Sequence, residues 1–240
     1  MNSFSFLKRK TQSTSTSDND LTSAKFRILN EKLYTMSSKD AFDYFTANTD
    51  DFETYHKGFA TQVQKWPMNP NDLIIKSLKQ KKYKTKVIAD IGCGEGKLGQ
   101  TLLPLGYTVY SYDLVSMHPH VVCADMKNLP LDNHCVDVAV FCLSLMNKNF
   151  VPFVVEANRI LKMKGRLVVA EITSRIVDKK EFVNVCEKVG FKLIKDVDLK
   201  GFFVVMTFKK IKEKNNNKNI MLMNKDDTYD ILKPCLYKKR

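Results

Sequence analysis

Several absences narrow the field before any motif is read. No stretch approaches the ~18 consecutive apolar residues of a membrane-spanning helix, and the N-terminus lacks the apolar core of a secretory signal, so the chain is expected to be soluble. The six cysteines (Cys93, Cys123, Cys135, Cys142, Cys186, Cys235) contain no C-x-x-C pair and fall mostly inside apparent strands and helices. That spacing argues against a zinc site or a disulfide framework and for small buried thiols in a reducing compartment. No internal repeat is visible. The glycine-rich turn in "VIADIGCGEGKLG" is not followed by G-K-[S/T], which excludes a P-loop. Lys97 stands where the dinucleotide fingerprint would place its third glycine.

What is present is 240 residues, enough for one domain of about 100–200 residues plus extensions. The formal net charge of +13 is unevenly placed: +3 over residues 1–40, −4 over 41–56, +7 over 57–86, +1 over 87–208 and +6 over 209–240. The excess therefore lies outside the segment around the glycine-rich turn. A solvated lysine surface is the plain reading, but +7 within thirty residues would also neutralise several phosphates of a polyanion, of which nucleic acid is the commonest.

Residues 1–20 are Ser/Thr/Asn-rich around Lys8-Arg9-Lys10 and read as a disordered basic leader. From Leu21 to about Leu78 apolar residues recur at helical spacing, broken at Trp66-Pro67 and Asn69-Pro70, which predicts an N-terminal helical extension over residues 21–85. Over 86–210, short β-branched runs alternate with helical patterns, as in a doubly wound α/β domain with a mostly parallel sheet. The runs Phe191–Asp196 and Phe202–Phe208 lie too close together for a parallel crossover and should pair antiparallel. Residues 211–240 read as a Lys/Asn-rich stretch and a C-terminal tail.

A glycine turn at the carboxyl end of a strand lets backbone N–H groups approach a polar ligand with no Cβ in the way. Here the turn is Asp90-x-Gly92-x-Gly94-x-Gly96, and Asp113 ends the next strand about 20 residues on, where a carboxylate can accept both hydroxyls of a ribose. Asp125-Met126 ends the strand after that, placed to take an adenine amino group and ring. An acid at each of three successive strand ends suits a cationic sulfonium ligand and would repel a pyrophosphate. S-adenosylmethionine is the cofactor this pattern favours, with S-adenosylhomocysteine as its product.

The segments "FRILNEKLYTMSS", "YHKGFATQVQKWPMNP", "VIADIGCGEGKLG", "VDVAVFCLSLMNKNF", "EANRILK" and "LKPCLYKKR" together resemble the ribosomal RNA-processing protein 8 family of nucleolar methyltransferases, over roughly residues 24–210 and the last few. The resemblance implies a class I methyltransferase (Rossmann-like) fold, a mostly parallel seven-stranded sheet with an antiparallel C-terminal hairpin and an N-terminal helical cap. It implies methylation of ring nitrogen 1 of an adenine in large-subunit ribosomal RNA, with the pre-ribosome as partner, a monomeric core and a nucleolar site of action. Its cofactor contacts fall on His56, Gly92, Asp113, Asp125, Met126 and Cys142; no metal is implied and no catalytic residue is assigned. On composition alone His56 reads as a packed or capping histidine. Met126 is expected to act through its main chain, and Cys142 as a strand-end contact rather than a nucleophile.

Ring nitrogen 1 already carries an in-plane lone pair, so alignment rather than a general base would supply the catalysis. The same nitrogen pairs in duplexes, so the target must be unpaired or flipped out. The [DN]-P-P-[YF] signature of exocyclic-amine methyltransferases is absent, "CLSL" standing in its place. Glu171, Ser174 and Arg175 either line the base pocket or form a helix start and a salt bridge. Competing readings are a protein or small-molecule methyltransferase, and an S-adenosylmethionine-binding factor in ribosomal DNA chromatin silencing. The terminal clusters Lys8-Arg9-Lys10 and Lys238-Lys239-Arg240 suit nuclear retention, while the Ser/Thr-rich, acid-poor start also resembles a transit peptide.

Overall fold

The computed structural model describes residues 13–213 and 227–237. Lys8-Arg9-Lys10, most of the Lys/Asn-rich stretch and Lys238-Lys239-Arg240 lie outside the described residues. Helix α1 spans Ser13–Thr35, so it begins inside the stretch expected to be a disordered leader. Its packed portion holds Phe26, Leu29 and Leu33. Once such a segment is helical, each residue added upstream gains a hydrogen bond without a new nucleation cost. Helix α2 (Ser38–Ala47) starts at Ser37, whose hydroxyl accepts from the Asp40 N–H at 3.1 Å. Helix α3 covers Thr49–Val63, and α4 covers Pro70–Leu78. Asn69 caps α4 by accepting from the Asn71 N–H at 2.9 Å, with Pro70 in the first turn where it costs no hydrogen bond.

The sheet holds β1 (Val87–Ile91), β2 (Thr108–Asp113), β3 (Val121–Cys123), β4 (Val136–Cys142), β5 (Leu161–Ile172), β6 (Phe191–Leu199) and β7 (Phe203–Lys210), in the order β3-β2-β1-β4-β5-β7-β6. Only β7 runs antiparallel, between β5 and β6. The β6–β7 connection turns at Lys200 and Gly201, both at positive φ. Helices α5 (Lys97–Leu102), α6 (Val151–Ile160) and α7 (Lys179–Val189) complete the described core. Residues 114–120 join the parallel neighbours β2 and β3 without a helix, shorter than the usual crossover. The Ser116 hydroxyl closes that loop by donating to the Val121 carbonyl at 2.7 Å.

Three apolar clusters result. Helices α6 and α7 bury Phe153, Val154, Phe182 and Val185 against one sheet face through Phe141, Leu167 and Phe208. Helices α4 and α5 cover Ile88, Val109, Val138 and Val140 on the other. Phe26, Leu29, Phe45, Phe52 and Tyr55 of α1–α3 form a third cluster that meets the sheet at Leu114, just past the carboxyl end of β2. The tail is part of this structure. Leu232 bridges Ile176, the Asn30 amide donates to the Cys235 carbonyl at 2.7 Å, and the Tyr229 hydroxyl donates to the Tyr34 carbonyl at 2.6 Å. The last described residues therefore strap α1 to the loop after β5.

Candidate cofactor and substrate site

The carboxyl ends of β1, β2 and β4 meet beneath α3 at a cleft of about 260 Å³. Gly92, Gly94 and Gly96 adopt φ of +71°, +58° and +67°, a region that L side chains enter only with strain. Space matters as much as φ here. A Cβ on Gly92 would lie 2.4 Å from the Ser144 Cβ, and one on Gly94 would lie 3.1 Å from the His56 ring.

Asp113 locks the turn. Its carboxylate accepts from the Gly94 N–H at 2.6 Å and from the Leu114 N–H at 2.7 Å, which fixes both oxygens while leaving lone pairs toward the cleft. Burial pushes this carboxyl up to about 6, against the pull of those two N–H groups. Asp90 is fully enclosed in β1; burial, helped by the nearby Asp113 charge, pushes it up to about 7, and its Oδ2 has no hydrogen-bond partner among the described residues. Lys97, the cation in the cleft wall, is held by Asp72 at 2.6 Å. Asp113 lines the cleft with Asp90 close behind it, and neither has an ion pair among the described residues, a field that favours a cation.

His56 packs its ring 4.4 Å from Phe52 and 5.1 Å from Tyr55, and burial lowers it to about 4. It is both the packed histidine of the compositional reading and a wall of the cleft facing Gly94. A neutral imidazole here adds no repulsion to a cationic ligand. Across the cleft, Leu143 (φ +59°) and Asn147 (φ +69°) follow β4 in the left-handed region. For a leucine this costs about 1–2 kcal/mol, a strain that recurs where a loop is shaped for a ligand. Hydrogen bonds hold both residues: the Leu143 N–H donates to Ala170 at 2.9 Å, and the Asn147 N–H and amide both donate to the Leu33 carbonyl.

Five of the six residues carried by motif, namely His56, Gly92, Asp113, Met126 and Cys142, line this one cleft. Met126 reaches it with its side chain, the terminal methyl lying 3.5 Å from a Cβ built on Gly92, rather than through the main chain alone. Asp125 stands outside the cleft wall. Its carboxylate accepts from the Ser38 hydroxyl at 3.3 Å and lies 3.7 Å from the Lys127 ammonium. Burial, with Asp90 and Glu171 nearby, holds the Cys142 thiol well above its usual range, which keeps it protonated and disfavours a nucleophilic role.

The base-pocket alternative for Glu171, Ser174 and Arg175 gives way to the salt bridge. Arg175 donates to Glu171 at 2.6 Å, to the Leu145 carbonyl at 2.8 Å and to the Lys233 carbonyl at 2.9 Å, and its guanidinium lies 4.7 Å from the Tyr34 ring centre. Ser174 is exposed in the short 3-10 turn Thr173–Arg175. Residues missed from the sequence are Phe59, Trp66, Asn69 and Asn71, which form the opposite wall. Phe59, Trp66 and Asn69 fall in the family-resembling segment "YHKGFATQVQKWPMNP" and Asn71 just after it, but helical spacing and the two X-Pro breaks assign none of them to a site. The Asn71 amide oxygen there is buried and has no partner among the described residues.

A family model described as "Hypothetical methyltransferase" matches residues 12–240. Ribosomal RNA-processing protein 8 of Arabidopsis thaliana is 40% identical over 227 residues, 92% of this chain and 75% of that one. This chain belongs to the ribosomal RNA-processing protein 8 family. The family's Dictyostelium discoideum protein is 44% identical over 227 residues, 92% of this chain and 58% of its own length. The chain thus spans about three fifths of that relative. A family member of Schizosaccharomyces pombe, 42% identical over 92% of this chain and 70% of its own, is named 25S rRNA (adenine(645)-N(1))-methyltransferase. Among solved structures, 1,6-didemethyltoxoflavin-N1-methyltransferase of Burkholderia thailandensis, which has S-adenosylhomocysteine bound, shares the fold at TM-score 0.55 and 18% identity, over 71% of this chain and 90% of that one. A TehB-like S-adenosylmethionine-dependent methyltransferase of Corynebacterium glutamicum does so at 0.50 and 19% identity, over 66% and 99%. The seven-stranded class I methyltransferase fold expected for the family is the one found.

Proposed function

We propose that this chain transfers a methyl group from S-adenosylmethionine to ring nitrogen 1 of an unpaired adenine in large-subunit ribosomal RNA. The observation that carries the reading is its 42% identity to the Schizosaccharomyces pombe enzyme across 92% of the chain, combined with a glycine turn and acid-floored cleft in a class I sheet. The cleft fits the cofactor on three grounds. The glycine cradle has no room for a Cβ, Asp113 has lone pairs free at a strand end, and the floor is negative toward a sulfonium.

In this reading Asp113 receives the ribose hydroxyls, and the Gly92–Gly94 backbone passes beneath the methionine part. Met126 packs on the adenine ring, and His56 and Cys142 close the two sides. Asp125 is retained as an adenine-amine acceptor, its carboxylate keeping lone pairs beyond the one that takes the Ser38 hydroxyl. S-adenosylmethionine supplies an electrophilic methyl on a cationic sulfur. The chain's own residues then have to orient the base and keep water away; Phe59 and Trp66 are planar walls on which a flipped base can stack, offsetting an unstacking cost of a few kcal/mol. No proton has to be removed from ring nitrogen 1, in keeping with a cleft that holds a neutral histidine and a protonated thiol. Helices α1–α3 serve as the cap, and the nucleolus, where pre-ribosomes are assembled, is the corresponding location. Large-subunit RNA from cells lacking the gene, incubated with the purified chain and cofactor, should gain one reverse-transcription stop at a 1-methyladenosine. Label appearing in protein or free nucleoside instead would reject the RNA substrate.

A further inference from the structure

Among the described residues, the helices leave part of the second face of the sheet open, beyond the patch that α4 and α5 cover. Helices α6 and α7 cover β5, β7 and β6 from one side, through Leu167, Val204, Met206 and Phe208. Side chains alternate along a strand, so Arg166, Val205, Thr207 and Lys209 point to the other side, beside α4. There Arg166, Lys209 and Lys192 stand next to one another in register across three strands, and Lys195 lies opposite Thr207 one step on. Lys192 and Lys195 are exposed; Arg166, Thr207 and Lys209 are half-buried.

Like charges directly opposite one another cost stability unless something anionic lies across them. None of these four cations has an ion pair among the described residues, and neither do Lys76, Lys79, Lys81 and Lys82 on α4 and the segment after it. The two groups are joined: the Arg166 guanidinium donates to the Tyr83 hydroxyl at 2.9 Å, and the Lys82 ammonium lies 5.1 Å from the Tyr83 ring centre. At its other end the face reaches the cleft. The Phe203 ring, on the same side of β7, lies 5.0 Å from Trp66, which is a wall of the cleft. From Phe203 to Lys209 the strand runs about 20 Å.

We propose that this open face of β5, β7 and β6 is the track for the phosphodiester backbone of the RNA, leading from the cleft mouth at Trp66 to the cation row Arg166–Lys209–Lys192. The inference rests on the RNA reading above and adds where the strand runs. Cations on three neighbouring strands, whose backbones lie about 5 Å apart, on a face edged by the rings of Trp66 and Tyr83, suit a phosphate backbone with bases free to stack. An acidic protein segment is the competing occupant.

The test compares the parent with K192Q/K195Q/K209Q, with K192R/K195R/K209R and with the charge-matched control K39Q/K180Q/K188Q. Filter binding to a large-subunit RNA fragment is run over a salt series, with cofactor calorimetry on the same preparations to establish folding. Three lost phosphate contacts should flatten the log–log salt slope by about 2 and weaken binding about tenfold at 0.15 M salt. The arginine variant and the control should keep the parent's slope, and all four should bind cofactor alike. An unchanged slope in the glutamine variant, while the parent still methylates RNA, overturns the track and leaves the activity standing. Parent protein that neither binds nor methylates RNA overturns both. Loss of polyglutamate binding with RNA binding intact assigns the face to an acidic protein and overturns the track.

Discussion

Replacing Asp113 with asparagine separates the two things its carboxylate does. Holding this acid ionised at pH 7.5 while burial raises it from 3.8 to about 6 costs the cofactor-free fold at most about 3 kcal/mol. The amide removes that cost. It also leaves one of the Gly94 and Leu114 N–H groups facing an NH2, a loss of about 1–3 kcal/mol. The terms nearly cancel, so D113N should unfold within about 1 kcal/mol of the parent in urea at pH 7.5. Cofactor binding has no such offset. Losing charge-assisted bonds to two hydroxyls is worth about 1.5–3 kcal/mol, a weakening of roughly ten- to hundredfold by calorimetry. The pH profile should change too. The cationic cofactor favours ionised acids, so parent affinity should rise from pH 5 to pH 7.5 with proton release, Asp90 and Asp113 titrating as a pair. In D113N only the Asp90 step remains, displaced to lower pH because the Asp113 charge no longer raises it. Unchanged affinity, or a pH profile that overlays the parent's, would refute the assignment of Asp113 to the ribose.

Asp90 carries a raised acid's signature in stability: its contribution is complete below pH 4 and is lost as pH rises through about 7, so D90N should gain on the parent, by up to about 4 kcal/mol, between urea melts at pH 4 and pH 8. A constant difference across that range would place the orphan oxygen in contact with something unseen. Because the Cys142 thiol stays protonated, C142A should keep methyl transfer within about tenfold of the parent, and loss of all turnover with cofactor binding intact would revive a nucleophilic role. R175M should cost about 3–5 kcal/mol by stranding the buried Glu171 carboxylate, and E171Q/R175M should recover part of it; additive losses in thermal melts would show that the pair is not coupled.

Much of this protein was legible in one dimension. Strand positions from Val87 to Lys210 followed from β-branched runs between helical patterns, because the period of buried residues is a local property of the chain. The antiparallel end of the sheet followed from the short gap around Gly201, since a parallel return needs more chain. The glycine turn and Asp113 were likewise written in spacing. Distance in sequence hid the rest. Arg175 and Glu171 meet Leu145, Tyr34 and Lys233 only because α1 and the tail fold back over the loop after β5, so their pairing could not be told from a base pocket. His56 became a cleft wall, and Asp125 a partner of Ser38, through the docking of α2 and α3 on the strand ends. The cation row on β5, β7 and β6 exists only in the register of three strands, from residues 166, 192 and 209, whose summed charge the sequence records but whose adjacency hydrogen bonding between strands creates. Periodicity and spacing report what each residue does to its near neighbours along the chain; which distant residues share a wall, a charge or a face is fixed by packing, and that is where the site's electrostatics arise.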